Sequence, residues 1–541
     1  MSDVMRMTGL YSGMDTESIV QQLVSAKQTK VTNLKNEQTK LEWKQTAWQD
    51  LNSKIYSLYS GTLSKLRLST AYKKKTTTSS DPTKVSVLAS EGAVDGTQTL
   101  KINSIAKSGY LTGAQLDSTK TEEVEENGKK VTKKVGWKTT DKLSEINSGL
   151  AGKSISITVG TGDEEKTTAI EITSDMTIAK FTSQLREAGV NASFDENNQR
   201  FFISATGSGA KKDFKLSGSD VALQALGLDD TYSYANGSQC VKNAGQDAEI
   251  VLNGATFTSD TNAFSINGLT LNVTGTTDEE ISIVTSTDYD GVYDTIKDFI
   301  TEYNELINEI DKLYNADSAR KYNMLTEEEK ESMTDEEVEK WEGTIKGALL
   351  RKDSSLSNVM NSLVNTMMGS YYTNNLTEEQ KKTMTESEIS AWYEKNGNKK
   401  SLYDFGIKTL SYFDAKENEH HAYHIDGNED DENTSTKTDK LKAALANDPE
   451  GTTEFFTALC KEMYNKINDA MNSNKDYSSV YKVYNDKQLK KEYDNYTKRI
   501  KEAEDELNDY EDKWYDKFAA METALAKLQS NTNAVTSMLG M

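Results

Sequence analysis

The sequence predicts a multidomain α+β protein with long terminal coiled-coil helices, a helical domain built from both halves of the chain, and inserted antiparallel β domains. Three observations predict this fold class. The chain has 541 residues, which is too long for one compact domain. Apolar residues recur every seven positions near both ends and every two positions through much of residues 73–290. Only two prolines occur, so long uninterrupted helices are permitted.

Residues 1–72 are predicted to form N-terminal helices that are either disordered alone or paired in a coiled coil. A helix-start signal lies at Asp15. Four apolar residues further along are each seven apart: Leu34, Leu41, Trp48 and Ile55. Because Gln38 and Gln45 stand where further apolar residues would complete the seam, a lone helix here would be marginally stable.

Residues 486–541 are predicted to form a C-terminal coiled-coil helix. Its apolar seam repeats in a single register: Tyr493, Ile500, Leu507, Trp514, Met521 and Leu528. Residues 1–72 hold 9 basic and 6 acidic side chains, whereas residues 486–541 hold 9 and 12, so the two ends carry +3 and −3. Two striped helices of opposite charge can pair with each other or with other copies of the chain, and the sequence leaves both alternatives open.

The body between these helices is predicted to contain three domains. Residues 73–115 and 286–485 are grouped as a discontinuous helix-rich domain, residues 116–235 as a β-rich domain with one helix at 177–188, and residues 236–285 as a small β domain. Two Asn-Gly pairs, at 253–254 and 267–268, predict tight hairpin turns.

An internal duplication lies within a predicted helical insertion at residues 325–395. Residues 325–341 align with residues 376–392 at an offset of 51, and nine of the seventeen positions are identical. Each copy carries two threonine capping signals and ends in a tryptophan. Each copy is therefore predicted to form a pair of short helices.

Composition argues against several classes of partner. The formal net charge is −23, so nucleic acid and anionic membrane surfaces would be repelled by the average surface. No apolar run approaches the ~18 residues of a membrane span. We therefore expect neither a nucleic-acid partner nor a membrane partner. The two cysteines, Cys240 and Cys460, lack the spacing of a metal site or a disulfide framework.

Histidine usage argues against an enzyme. All three histidines fall between His420 and His424, which leaves most of the chain without a proton carrier at neutral pH. We therefore expect no catalytic residues and no cofactor. His420 and His424 are weak candidates for metal ligands. In a strand their side chains would lie about 13 Å apart, so a solvated hairpin is favoured over a metal site.

Six stretches and the C-terminal heptads resemble one family. Residues 9–24 read GLYSGMDTESIVQQLV, and the other stretches follow at 100–107, 248–273, 296–307, 402–407 and 441–445. In this order they resemble the FliD family of bacterial flagellar filament cap proteins, also called hook-associated protein 2. The duplicated insertion and residues 116–137 do not match the family pattern.

The resemblance implies a structural cap at the distal tip of the bacterial flagellar filament, which helps exported flagellin to fold and insert and is needed for motility. It implies that the terminal helices form legs on the filament end, with the two seams above as leg seams. It also implies a homo-oligomer, secretion through the flagellar type III channel, and three partners: flagellin, the filament or hook-associated junction end, and an export chaperone. One alternative is a surface adhesin whose β domains bind a host ligand, alone or in addition to capping. Another is a cytoplasmic coiled-coil scaffold.

Overall fold

The computed structural model describes residues 12–116, 119–126, 129–162, 165–472 and 476–538. The chain forms two compact units. Residues up to Tyr72 pack with those from Tyr289 onward, and Lys73–Asp288 form the second unit. We call these the helical unit and the β unit. Among the described residues, no helix combines the length and the apolar character that crossing a bilayer requires.

The helical unit begins with α1 (Thr16–Ser57), as the start signal predicts. The carboxylate of Asp15 accepts the backbone N–H of Ser18 at 3.0 Å and so caps the helix. Three short segments follow α1: a π-helical stretch at Leu58–Leu63, α2 (Ser64–Leu66) and a 3₁₀ turn at Ser69–Tyr72.

The β unit contains most of the strands. In chain order these are β1 (Lys75–Ser79), β2 (Val85–Ala89), β3 (Gly96–Ser104), β4 (Ser108–Thr112), β5 (Lys120–Glu126), β6 (Lys129–Val135), β7 (Ser154–Val159), β8 (Lys166–Glu171), β9 (Val190–Asp195), β10 (Arg200–Ser208), β11 (Phe214–Gly218), β12 (Val241–Asn243), β13 (Ala248–Leu252), β14 (Ala255–Ser259), β15 (Ala263–Ile266), β16 (Leu269–Val273) and β17 (Ile281–Thr287). Its helices are α3 (Leu143–Ile146), α4 (Ile178–Glu187) and α5 (Asp220–Ala225). The predicted helix at 177–188 is confirmed as α4, with Thr177 as its cap.

Two apolar cores form inside the β unit. The sheets β1-β17-β3-β13-β14 and β15-β16-β2 contribute to one core. The sheets β12-β4-β10-β9 and β11-β7-β8 contribute to the other, together with α3, α4 and α5. Side chains along β13 and β16 are buried at every second position, which is the predicted period of two. β5 and β6 form a separate two-stranded sheet.

Both predicted Asn-Gly turns are confirmed. Asn253 and Gly254 join β13 to β14 with φ values of 51° and 80°, and Asn267 and Gly268 join β15 to β16 with 45° and 80°. Two successive residues with positive φ form the tight hairpin turn that matches strand twist.

Strand pairing corrects the predicted grouping of residues 73–115 with residues 286–485. β1 pairs with β17, β2 pairs with β16, and β3 pairs with both β13 and β17. Residues 73–115 therefore supply strands to the β unit and are not part of the helix-rich domain. The other domain boundaries stay predictions.

The second part of the helical unit holds the remaining elements. They are α6 (Tyr289–Tyr314), α7 (Glu327–Glu331), α8 (Asp335–Gly347), α9 (Ser354–Met367), β18 (Tyr371–Tyr372), α10 (Glu378–Lys382), α11 (Glu386–Asn396), β19 (Lys399–Lys400), β20 (Ile407–Thr409), β21 (Tyr423–Ile425), α12 (Lys440–Asn447), α13 (Pro449–Asn472) and α14 (Asp486–Met538). One core joins α6, α9, α12 and α13 to the C-terminal half of α1. The predicted fold class, including a helical domain built from both chain halves, is confirmed.

The duplicated insertion forms the predicted helix pairs, α7–α8 and α10–α11. Each of the four helices has a complete capping box, in which a threonine hydroxyl accepts a backbone N–H and a Glu or Gln side chain accepts the threonine N–H: Thr326, Thr334, Thr377 and Thr385. The capping prediction is therefore confirmed in both copies.

Candidate interaction site: the terminal helix pair

The terminal helix pair consists of α1 and α14, and a short segment before α14 holds the two helices together. The buried side chain of Asn52 donates to the carbonyl of Tyr481 at 3.1 Å and accepts the N–H of Val483 at 3.0 Å. The ring of Trp48 stacks on Tyr484, with centroids 5.0 Å apart and planes 7° from parallel. Because α14 starts at Asp486, these contacts fix where it leaves the core and along which face of α1 it runs.

Polar contacts show that α14 runs antiparallel to α1. Near the core, Gln38 donates to the hydroxyl of Thr497 at 2.6 Å. Further out, the carboxylate of Glu506 lies 3.1 Å from Lys30 and 3.7 Å from Lys27. The hydrogen bond from Lys30, together with the positive charge of both lysines, holds the pKa of Glu506 below its usual 4.5. These ion pairs are exposed, so they set the register more than they stabilise the pair.

An apolar cluster lies beneath these ion pairs. Its buried members are Val20, Val24, Val31, Ala503 and Leu507. Half-buried side chains complete it: Leu34, Tyr510, Trp514, Tyr515 and Phe518. Through this cluster the two helices pair within one chain, with lysines of α1 facing glutamates of α14.

A further contact of the pair lies just before the start of α1. The carboxylate of Glu522, which is 1% exposed, accepts both the hydroxyl and the N–H of Ser12. Beyond Glu522, α14 continues to Met538. On this last part Leu528 is 64% exposed and Val535 is 55% exposed. The outer end of α14 therefore carries large apolar side chains in solvent.

The predicted N-terminal seam contacts two different partners. Leu34 packs against α14, and Leu41 is half-buried. Trp48 and Ile55 are 1% and 0% exposed and belong to the core of the helical unit. One heptad register on α1 therefore serves both the helix pair and the core.

The predicted C-terminal seam is most deeply buried at its centre. Ile500 and Leu507 are buried, with 8% and 9% exposure. Tyr493, Trp514 and Met521 are half-buried, whereas Leu528 is exposed. The seam therefore passes from a packed middle to an open outer end.

The two histidine candidates take separate structural roles. His420 lies in a turn and stacks on Tyr412 with centroids 4.5 Å apart. His424 lies in β21, and its Nδ1 atom is 2.7 Å from the carboxylate of Asp431. Burial by itself would raise the pKa of Asp431, but hydrogen bonds, chiefly that with His424, hold it below the usual 3.8. Across the described residues, no group of three or more His, Cys, Asp or Glu side chains is arranged to hold a metal ion.

Sequence reasoning missed two residues of this site. Asn52 and Glu522 are polar side chains buried on otherwise apolar faces. Neither belongs to a heptad seam or a capping pattern. Their partners lie more than 400 residues away along the chain, so no local signal identifies them.

The geometry defines a packing site, built from apolar side chains and ion pairs, of the kind by which structural proteins assemble. Two family models match the chain. Residues 245–530 match the family described as flagellar hook-associated protein 2 C-terminus, and residues 12–109 match its N-terminus. The longer match covers more than half of the chain. The chain therefore belongs to the flagellar hook-associated protein 2 family, which confirms the resemblance seen in the sequence.

Two sequence relatives agree with this assignment. The flagellar hook-associated protein 2 of Halalkalibacterium halodurans is 24% identical over 504 residues, which span 88% of this chain and 84% of the relative. The A-type flagellar hook-associated protein 2 of Pseudomonas aeruginosa is 26% identical over 330 residues, 57% of this chain and 63% of the relative. The crystal structure of the D1-D2-D3 domains of the flagellar cap protein FliD from Escherichia coli is 18% identical, covers 82% of this chain and 99% of its own, and has a TM-score of 0.48.

Proposed function

We propose that this protein is a structural cap at the distal end of the bacterial flagellar filament. In this role it promotes the folding and insertion of exported flagellin subunits, and it is needed for filament growth and motility. The family match over residues 245–530 is the observation that carries the proposal. In this proposal the protein acts by assembly, for which the terminal helix pair offers packing surface and ion pairs.

The outer end of α14 is the proposed contact with the filament or the hook-associated junction. Leu528 and Val535 are exposed there, although they lie on a helix whose inner seam is buried. Large apolar side chains clustered on a surface favour contact with another protein. Flagellin subunits at the filament end are the proposed partner of this exposed surface. The packed part of the terminal helix pair holds α14 extended toward them.

Export and assembly complete the proposal. The protein is secreted through the flagellar type III channel and resides at the filament tip as a homo-oligomer. Before assembly, an export chaperone covers the apolar stripe of the terminal helices. The alternative of a surface adhesin has no support from the two relatives described above, which are both named as flagellar proteins.

Complementation of a deletion strain tests the proposal. Leu528→Asp places a charge on the exposed stripe, whereas Ser530→Asp places the same charge about 200° around the helix, away from it. Ser530→Asp should restore swimming to the wild-type level, and Leu528→Asp should not. Circular dichroism of both purified variants controls for folding. Full swimming with Leu528→Asp would contradict the proposed contact.

A further inference from the structure

The hairpin of β5 and β6 is a charged ribbon inside the β unit, and we call it the charged ribbon. Its two strands pair with each other from Lys120↔Val135 to Glu126↔Lys129. Among the described residues, neither strand pairs with a third strand. The outer backbone edge of each strand is therefore available for pairing. The ribbon also lies within the segment at 116–137 that does not match the family pattern.

The two edges of the charged ribbon have opposite charge. β5 reads KTEEVEE and β6 reads KKVTKKV. Three of the seven directly opposite pairs therefore join a glutamate to a lysine, as in Glu122↔Lys133 and Glu125↔Lys130. A diagonal ion pair joins Lys130 to Glu123 at 3.1 Å. Opposite charges across a strand pair stabilise it, and like charges destabilise it.

We propose that the basic edge of β6 binds the acidic edge of β5 from a second copy of this chain. In this arrangement the two strands run antiparallel, and three of the four lysines of β6 meet a glutamate of the neighbour, whereas Lys134 meets Thr121. The register between copies can be the same as the register inside the ribbon. In that register, the residues of β6 whose N–H and C=O groups point outward lie opposite the residues of β5 whose groups also point outward, so they can form hydrogen bonds. The central valines, Val124 and Val131, meet in the same way.

The charges select this contact over the other edge pairings. Two β5 edges would place glutamates against glutamates, and two β6 edges would place lysines against lysines. Pairing unlike edges is head-to-tail, so each copy uses both edges and the contact generates a ring or an open array. A lone two-stranded hairpin is marginally stable in water, so a third strand also stabilises the ribbon itself.

Disulfide trapping between copies tests the proposal. Val131 is 38% exposed and Val124 is half-buried, so replacing either with cysteine creates no internal void. The native Cys240 and Cys460 are free and buried, and they do not compete. Val124→Cys and Val131→Cys proteins are oxidised in a glutathione buffer, each alone and as an equimolar mixture. Non-reducing gels and intact mass then measure the covalent dimer.

The mixture should yield at least tenfold more covalent dimer than either variant alone. Opposite residues of antiparallel strands alternate between hydrogen-bonded and non-hydrogen-bonded pairs, and the distance between the two residues differs between these two kinds of pair. A second mixture, of Thr121→Cys and Lys134→Cys proteins, therefore tests the kind of pair that the two valines do not form. The dimer yield should fall severalfold in 1 M salt, because the edge charges are exposed. Absence of excess dimer in both mixtures would overturn the proposal, and so would dimer from Val124→Cys alone.

This contact does not depend on the proposed capping function. The trapping experiment uses purified protein without flagellin or filaments, whereas the capping test measures swimming. A failure of one therefore leaves the other standing.

Discussion

Leu507 lies at the centre of the terminal helix pair, and replacing it with alanine should loosen the pair without unfolding the core. The side chain is 9% exposed and packs in a cluster with Val24 and Val31. Leu528 occupies the same predicted heptad register three repeats later, but it is 64% exposed. The two leucines therefore form a matched test of whether this stripe is a packing face at its centre and a free surface at its end.

The magnitude follows from the burial of Leu507. Leucine-to-alanine changes in buried sites cost about 2–5 kcal/mol, with the larger values where a cavity cannot close. Leu507 lies in a narrow contact between two helices, where neighbouring side chains can close in, so we expect about 2 kcal/mol. That free energy corresponds to roughly a 30-fold rise in the population of the locally opened pair. Leu528→Ala should change the free energy of opening by less than about 0.5 kcal/mol.

Hydrogen exchange measures this opening directly. In Leu507→Ala, amides of residues 20–34 on α1 should lose about 30-fold protection, while amides of α6 keep theirs because they lie in the core. Leu528→Ala serves as the control and should leave both regions unchanged. Unchanged protection of residues 20–34 in Leu507→Ala would refute the assignment of this seam as the contact between α1 and α14.

Three further predictions concern single positions. Gly254→Ala should destabilise the β unit by about 1 kcal/mol, because alanine is strained at the φ of +80°. Gly268→Ala has the same φ and also places its Cβ 2.8 Å from a backbone nitrogen, so it should destabilise the unit more. Urea unfolding of both variants would measure the difference. The pKa of Glu337 lies below its usual 4.5 because the backbone N–H and then the hydroxyl of Thr334 bind it. The stabilisation of α8 by this carboxylate is present above about pH 4.5. It is lost as pH falls through the pKa of the folded state, which NMR of α8 would follow. Burial raises the pKa of Cys460 to about 12, so alkylation at pH 8 should require unfolding, as mass spectrometry would record.

Features set by a few neighbouring residues could be predicted from the sequence. The four threonine caps of the duplicated insertion and the two Asn-Gly turns are each decided within about four residues. The same holds for the apolar periods of α1 and α14, because a stripe depends on spacing alone.

Features set by distant partners could not be predicted. The sequence does not show which strands pair, so it does not reveal that residues 73–115 belong with the β unit: Lys75 lies opposite Thr287, 212 residues away. A periodic stripe also shows that a face is apolar but not what covers it. The sequence therefore could not show that Leu34 contacts α14 while Trp48 enters the core. Glu522 gave no signal, since its partner lies 510 residues away.

The structure also refines how the role of the N-terminal helix can be tested. Removing residues 1–66 would delete Trp48, Ile55 and Leu63, which are fully or almost fully buried in the core of the helical unit. Loss of filaments after that truncation would report unfolding as well as loss of the helix pair. Single substitutions on the exposed stripe, such as Leu528→Asp, avoid this ambiguity.

Deleting the gene in its source bacterium tests the central claim most directly. The measurement is the amount of flagellin in filaments against free flagellin in the medium. A cap at the filament tip predicts that filaments vanish and that unpolymerised flagellin accumulates outside the cell. An unchanged filament mass would contradict the capping function, while leaving the family assignment and the fold in place.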